Sequence, residues 1–456
     1  MFSLQLMENI LVKIRPNLEK ILLFAVFVFL LTAAITLNKP SLFYIMAIFF
    51  AVFFFFKDFL WLAPVLSLPA ITMGEILKFE LAPYYFYEFT IAEALLLMAA
   101  AVYLLDKFVS KKTNEIKFDA ISFFLFLYLS LALLSFFEII SLKYYLFGLK
   151  AAAFSFLAYF LALNLINSRV RLQIFLFSAT AALLVFALEV FYKFYTLGFS
   201  DKFFFERKLI ILPPGPLATV AAIIAMMLAP VLVFFLAEKN FKSKAIILPA
   251  FCFGFFALFI SLGKAAILAF LCGMVYLFFR LSGRRKYFLI VIAAAIVLAT
   301  VFLSPLAGGL ITRVKTTFVD SNTRFRVLEY QTAWRLLPDH LLFGVGAGQQ
   351  LYYFKKLLNY DTSELVNNFF LQAVIDYGLL GLFTISMLLA SLWRKARAVA
   401  RAARPENLVL ASGFMAMLIV ALINGLLEVT FFALPYAIIF WLMVGAFVNS
   451  KYYYHD

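Results

Sequence analysis

The sequence predicts an all-α protein that crosses a membrane many times, and three observations carry that expectation. Of its 456 residues, 66% are hydrophobic and 14% charged, with a mean hydropathy of +1.02. A soluble domain carries about 25% charged and about 45–50% apolar residues, and no folded core has the volume to hide such an excess. The 60 Phe residues fall in long uncharged runs rather than at amphipathic spacing. Finally, the cations behind the net charge of +15 cluster in short connections between apolar runs, so topology explains much of the charge. No nucleic-acid-binding signature accompanies them, and a nucleic-acid partner is not expected.

A spanning helix needs roughly 20 mainly apolar residues, with about 17–25 tolerated. The runs that qualify are 21–37, 41–56, 59–73, 86–105, 118–139, 144–166, 172–194, 216–237, 245–263, 265–280, 287–304, 367–393, 408–426 and 431–448. The pair 41–56 and 59–73 is short enough to read as a half-spanning hairpin, which leaves 12–14 transmembrane helices. The first run lacks a small-residue cleavage pattern and more spans follow it, which argues against a cleaved signal peptide.

Lys/Arg bias sets the orientation. Lys13, Arg15 and Lys20 precede the first run, and later clusters lie at 107–117, 169–171, 239–244, 280–286 and 394–404. All fall on one side, so both termini are expected in the cytoplasm. The one long connection, 305–366, then lies on the opposite face. Phe325, Leu328, Ala333, Leu336 and Leu337 give it a helical apolar spacing, and a connection that long is usually functional. The chain therefore divides into an N-terminal bundle (1–304), this outer-face loop, where the chemistry is expected (305–366), and C-terminal helices with a cytoplasmic tail (367–456).

Several cations sit on the outer side against the usual bias, among them Lys143, Lys150, Lys202, Arg207, Lys208, Lys264, Arg313, Lys315, Arg324, Arg326 and Arg335. Lys264 occupies a tight turn between two apolar runs. Converging cations suit a phosphate or pyrophosphate, which Arg binds in bidentate fashion. The bland alternative is snorkelling of long side chains to lipid headgroups, and Asp320, Glu329, Asp339, Asp361 and Glu364 can pair the loop cations. Glu93, Glu138, Glu189, Asp376 and Glu428 lie within apolar runs and read as counter-ions to outer cations or as coupling sites of a transporter or lipid flippase. A transporter should show related halves, and no convincing repeat is present.

GVGAGQ (344–349) lacks the third glycine at the offset a dinucleotide site requires, and no strand precedes it, so it reads as a turn. Two histidines, His340 and His455, make no metal centre, and Cys252 and Cys272 inside apolar runs make neither a metal site nor a disulfide framework. No cofactor is expected.

The stretch from Arg324 to Gly381 resembles the O-antigen ligase and O-antigen polymerase superfamily of polyprenyl-pyrophosphate-dependent membrane glycosyltransferases. Arg326, Tyr330 and Ala333 precede LLFGVGAG as an Arg, an aromatic and an Ala precede the family's glycine turn. Asn368 is followed by nine residues and then by Gly378 and Gly381, similar to the ligase motif of His-Asn, nine residues, Gly, two residues, Gly. Ser261, Lys264 and Ala266 resemble a family Ser-Arg-Ala turn, and Arg207 ahead of PPGPLA resembles a family Arg before a helix start. The ligase histidine is replaced here by Asn367, which orients a hydroxyl but takes no proton at neutral pH; Asp361, Glu364 and His340 are nearby alternatives as base.

The resemblance implies a GT-C-like fold in a bacterial inner membrane. It implies transfer of a glycan from undecaprenyl-pyrophosphate to an acceptor at the periplasmic face, with inversion and without a metal. The acceptor is lipid A–core for a ligase, or a second lipid-linked glycan for a polymerase. Arg326 and Asn367 become the catalytic candidates, and Arg207, Lys264 and Arg324 the pyrophosphate-binding ones. Asn367 and Asn368 also read as plain helix N-caps.

Overall fold

The computed structural model describes residues 57–74, 78–80, 88–197, 210–281, 283, 321–358, 366–402 and 408–449. The expected runs 21–37, 41–56 and 287–304 lie outside the described residues, as do Lys202, Arg207, Lys208, Arg313, Lys315, Asp361, Glu364 and His455.

The expected runs appear as helices: α1 (Leu62–Thr72), α2 (Ile91–Val109), α3 (Ala120–Leu134), α4 (Leu142–Leu165), α5 (Arg169–Leu197), α6 (Leu217–Ala237), α7 (Phe241–Ile260) and α8 (Lys264–Arg280). The long loop contributes α9 (Ser321–Leu336) and α10 (Gln350–Leu358), and the C-terminal region α11 (Phe369–Ala402), α12 (Leu408–Leu427) and α13 (Leu434–Val448). Among the described residues, seven helices are long and apolar enough to cross a membrane, while α1 and α13 are shorter apolar helices. At 11 residues α1 is about 16 Å long, half a bilayer, as a half-spanning segment would be. Two short antiparallel hairpins, Lys78–Glu80 with Glu88–Thr90 and Ile211–Leu212 with Gly215–Pro216, lead into α2 and α6.

Local chemistry sets where helices begin. Thr90 and Glu93 form a reciprocal capping box at the start of α2. Asp119 caps α3 by accepting from Ser122 N at 3.0 Å, and Asn240 caps α7 by accepting from Lys242 N at 2.9 Å. The centre is α6, buried along most of its length and packed against α5, α7, α8 and α12. Outward-facing Phe123, Phe126, Leu133, Ile246, Phe253 and Phe256 leave α3 and α7 apolar on their exposed sides, as lipid contact requires. Cys252 is on that exposed surface rather than buried, and neither cysteine is bridged.

Alternating helix directions gather the connections at two ends. One, the loop end, collects residues 135–141, 210–216, 261–264, 366–368 and 428–433; the other, the basic end, collects Lys117, Asn164, Arg171, Lys239, Arg394 and Asn449. Register between α8 and α12 is fixed where Gly273 admits Val420 and the Ala416 carbonyl. From that crossing the two antiparallel helices bring Lys264 level with the Leu427–Glu428 end of α12.

Candidate functional site at the loop end

A break in α11 organises the site. Gly378 has φ 63° and ψ −151°, so the helix expected to run straight through 367–393 is interrupted one turn past its midpoint of buried polar residues. The break withdraws the Ile375 and Asp376 carbonyls and the Leu379 and Leu380 amides from helical pairing. The turn 341–346 supplies all four partners: Val345 N donates to Ile375 O at 2.8 Å, Gly346 N to Asp376 O at 2.9 Å, Leu379 N to Leu341 O at 2.8 Å and Leu380 N to Leu342 O at 3.5 Å. A Cβ at Gly378 would fall 2.5 Å from Leu341 O, and the positive φ already disfavours a side chain there. The glycine turn and the Gly378 motif are thus two halves of one backbone clasp.

The other side of that turn docks on the loop end of α3 and α4. Ala347 N donates to Ser135 Oγ at 3.0 Å, and Gln349 accepts from Ser141 N at 2.9 Å while donating back to Ser141 O at 2.9 Å. Gly348, at φ 66°, lets the turn meet the Tyr144 carbonyl. GVGAG is therefore a docking element, in keeping with its reading as a turn.

Beneath the clasp, Asp376 is fully buried and accepts from Gln350 Nε2 at 3.3 Å and Gln372 Nε2 at 3.4 Å. Gln350 also accepts from Val366 N at 3.4 Å, which fixes the approach of the chain into α11. The counter-ion expectation for Asp376 is corrected: its partners are neutral amides. It holds for two of the other carboxylates, since Glu93 pairs with Lys150 at 2.7 Å and Glu428 with Arg326 at 2.6 Å. Glu138 ends the span of α3 in an exposed turn, and Glu189 Oε2 is buried with no hydrogen-bond partner among the described residues.

At the threshold of α11 the two asparagines separate. Asn368 is the N-cap, its Oδ1 accepting from Leu371 N at 3.0 Å, and its Nδ2 donates to Leu426 O at 3.2 Å. Asn367 is not a cap. Its backbone N–H and its Nδ2 both donate to Glu329 Oε2, at 3.3 and 2.9 Å, and its carbonyl accepts from Tyr330 Oη at 3.2 Å. Glu329 is 1% exposed, a buried carboxylate and not a surface charge. A carboxylate this deep requires donors, and Asn367 supplies two. The buried stripe of α9 is Glu329, Ala333 and Leu336, whereas Leu328 is exposed.

Arg326, one turn before Glu329, donates to Leu427 O at 2.7 Å and to Glu428 at 2.6 Å. It thereby neutralises the C-terminal carbonyls of α12, where a helix favours a cation. A guanidinium has five N–H donors, and with these two bonds made the rest have no partner among the described residues. The side chain stays 34% exposed.

Arg326 and Asn367 are thus brought together through Glu329, Glu428 and the end of α12, with Lys264 level with them. Lys264 is half-buried at the first position of α8, after Leu262 at φ 52°. Arg324 lies in α9, but its side chain is outside the described residues. A second polar feature of this end is a cavity of about 180 Å³ lined by Thr90, Glu93, Lys150, Pro213, Pro214 and Pro435 among others. An apolar cleft lined by Tyr128, Phe369, Phe431, Phe432 and Trp441 lies beside the first turn of α11. His340 packs edge-on against Tyr353, whose phenol is pushed up chiefly by burial and then by nearby Glu138 and Tyr352.

Chemically, the arrangement presents a guanidinium with unused donors, a lysine at a helix start, and an asparagine amide anchored by a buried carboxylate. It can hold an anionic oxygen and orient a hydroxyl. Glu329 and Glu428 are the members that the sequence offered only as counter-ions and not as site residues. The spacing of Arg326, Glu329 and Ala333 on one helical stripe was the available signal. Residues 249–386 match the family model described as O-Antigen ligase, a segment that contains Lys264, Arg326, Glu329, Asn367 and Gly378. No curated protein matches the chain.

Proposed function

We propose that this membrane-spanning member of the O-antigen ligase superfamily moves a glycan from undecaprenyl-pyrophosphate to the lipid A–core. The observation that carries the reading is the Arg326–Glu329–Asn367 assembly at the start of α11, inside the segment matched by the family. A pyrophosphate leaves readily once preorganised cations hold its developing charge. Arg326 and Lys264, with Arg324 and Arg207 from the neighbouring segments, take that role without a metal. The amides at the start of α11 add a positive dipole end. Asn367 orients the acceptor hydroxyl for attack on the anomeric carbon from the side opposite the pyrophosphate, which inverts that centre.

In this reading the site is periplasmic and both termini are cytoplasmic, in the inner membrane. Residues 1–304 cradle the carrier, 305–366 carry part of the site, and 367–456 complete it. A second reading, polymerisation onto another lipid-linked glycan, is favoured by one observation: Asn367 stands where the resembled ligases carry histidine. Product analysis of the purified protein with lipid-linked glycan separates the two. Transfer only when lipid A–core is added supports the ligase, and longer lipid-linked chains from donor alone support the polymerase. Unconsumed donor under both conditions would refute transfer.

A further inference from the structure

Asn367 is held by every polar atom except one. Its N–H and Nδ2 are bound to Glu329, and its carbonyl is bound to the Tyr330 hydroxyl. A carboxylate only accepts, so the amide cannot be turned over: Nδ2 must face Glu329, and Oδ1 must face away. Oδ1 has no partner among the described residues, and it is not among the side-chain atoms sealed from solvent. The geometry therefore leaves one directed acceptor at the start of α11, backed through a single amide by a carboxylate that is 1% exposed.

We infer that Glu329 and Asn367 act as a proton relay for the acceptor hydroxyl, an inference that rests on the transfer reaction proposed above. The hydroxyl donates to Asn367 Oδ1. As its oxygen forms the bond to the anomeric carbon, the bond from that carbon to the phosphate oxygen breaks, and the electron pair leaves with the pyrophosphate. An amide takes no net proton at neutral pH, so the hydroxyl proton passes to Oδ1 only as an Nδ2 proton passes to Glu329 Oε2, and Asn367 becomes transiently a neutral imidic acid. The amide re-forms when Glu329 returns its proton to the nitrogen and Oδ1 releases the other to the departing pyrophosphate or to water. Asn367 touches the substrate; Glu329 acts through it. Among the described residues, the charged groups near the pair include Arg326, one turn before Glu329 on α9, and Glu428, which Arg326 holds.

The relay makes demands that a packing contact does not. In the full-length protein in lipid nanodiscs, with undecaprenyl-pyrophosphate-linked glycan and acceptor lipid, wild-type transfer should fall on the acid side as Glu329 gains a proton. Glu329→Gln keeps the size and both polar ends of the side chain. It should lower turnover about 100-fold or more, the usual worth of a positioned base, while binding undecaprenyl pyrophosphate normally and losing the acid limb. Adding Asn367→His to Glu329→Gln supplies acceptor and base in one ring. It should recover at least about tenfold, with a new limb near the imidazole value of about 6.5. Wild-type transfer combined with an unchanged rate and acid limb in Glu329→Gln would overturn the relay and leave the transfer reaction standing. So would a double variant that binds carrier normally yet shows no recovery. A wild type that consumes no donor overturns both.

Discussion

The two ends of the bundle use similar polar side chains to opposite effect. At the basic end, Asn164 accepts from Tyr103 Oη and Lys117 N and donates to the Lys117 and Phe160 carbonyls. Asn449 donates to the Leu163 and Ile166 carbonyls and accepts from Lys117 Nζ. Both are buried and their hydrogen-bonding capacity is used, so they tie α4 and α13 together and have nothing left for a ligand. At the loop end, Arg326 and Asn367 are held as firmly but retain unused donors and one unused acceptor. Anchoring is common to both pairs; directed spare capacity belongs to Arg326 and Asn367 and not to Asn164 and Asn449. A membrane enzyme has to keep a few polar atoms incompletely satisfied where its substrate arrives, and neutralise the rest.

The contrast can be broken from either side. The largest effect is expected at the clasp: Gly378→Ala combines left-handed strain with a Cβ pressed on the Leu341 carbonyl, a loss of about 2–5 kcal/mol. Thermal unfolding in detergent should shift strongly downward, and transfer should vanish because the start of α11 is no longer aimed. Asn449→Ala comes next. It removes two hydrogen bonds to backbone carbonyls at a cost of about 1–3 kcal/mol, yet turnover per folded molecule should stay at the wild-type value. Loss of turnover there would erase the distinction between the ends.

The smallest effect belongs to Lys107 and Glu115, an ion pair outside the buried core. The hydrogen bond from Lys107, then its charge, holds the Glu115 carboxyl below its usual range. Because the folded value is lowered, any contribution to stability is present above the unfolded carboxylate range and fades as pH falls through the folded value. Lys107→Ala should return the Glu115 titration, followed by NMR, toward the ordinary range and leave the melting temperature and transfer essentially unchanged.

The helices were legible in the sequence because lipid demands length and uniform apolarity, both local properties. The starts of α3, α6 and α12 fall close to the ends of their hydropathy runs. Gly378 and Gly381 were visible as a spacing. Their reason was not: the carbonyls freed at the break are paired by residues 30 positions earlier. Glu329 was hard to place for the same reason. Counted against neighbouring cations it looks like surface charge, whereas the fold buries it and joins it to Asn367, 38 residues away. The two adjacent asparagines looked interchangeable as caps until the fold assigned one to the helix and the other to a carboxylate.

The most direct test of the claim that the loop end carries the reaction is donor consumption by Arg326→Ala, measured beside Asn449→Ala in the same lipid. Loss of the guanidinium should slow release of undecaprenyl pyrophosphate about 100-fold or more, while Asn449→Ala keeps the wild-type rate per folded molecule. Wild-type consumption by a folded Arg326→Ala protein would contradict it.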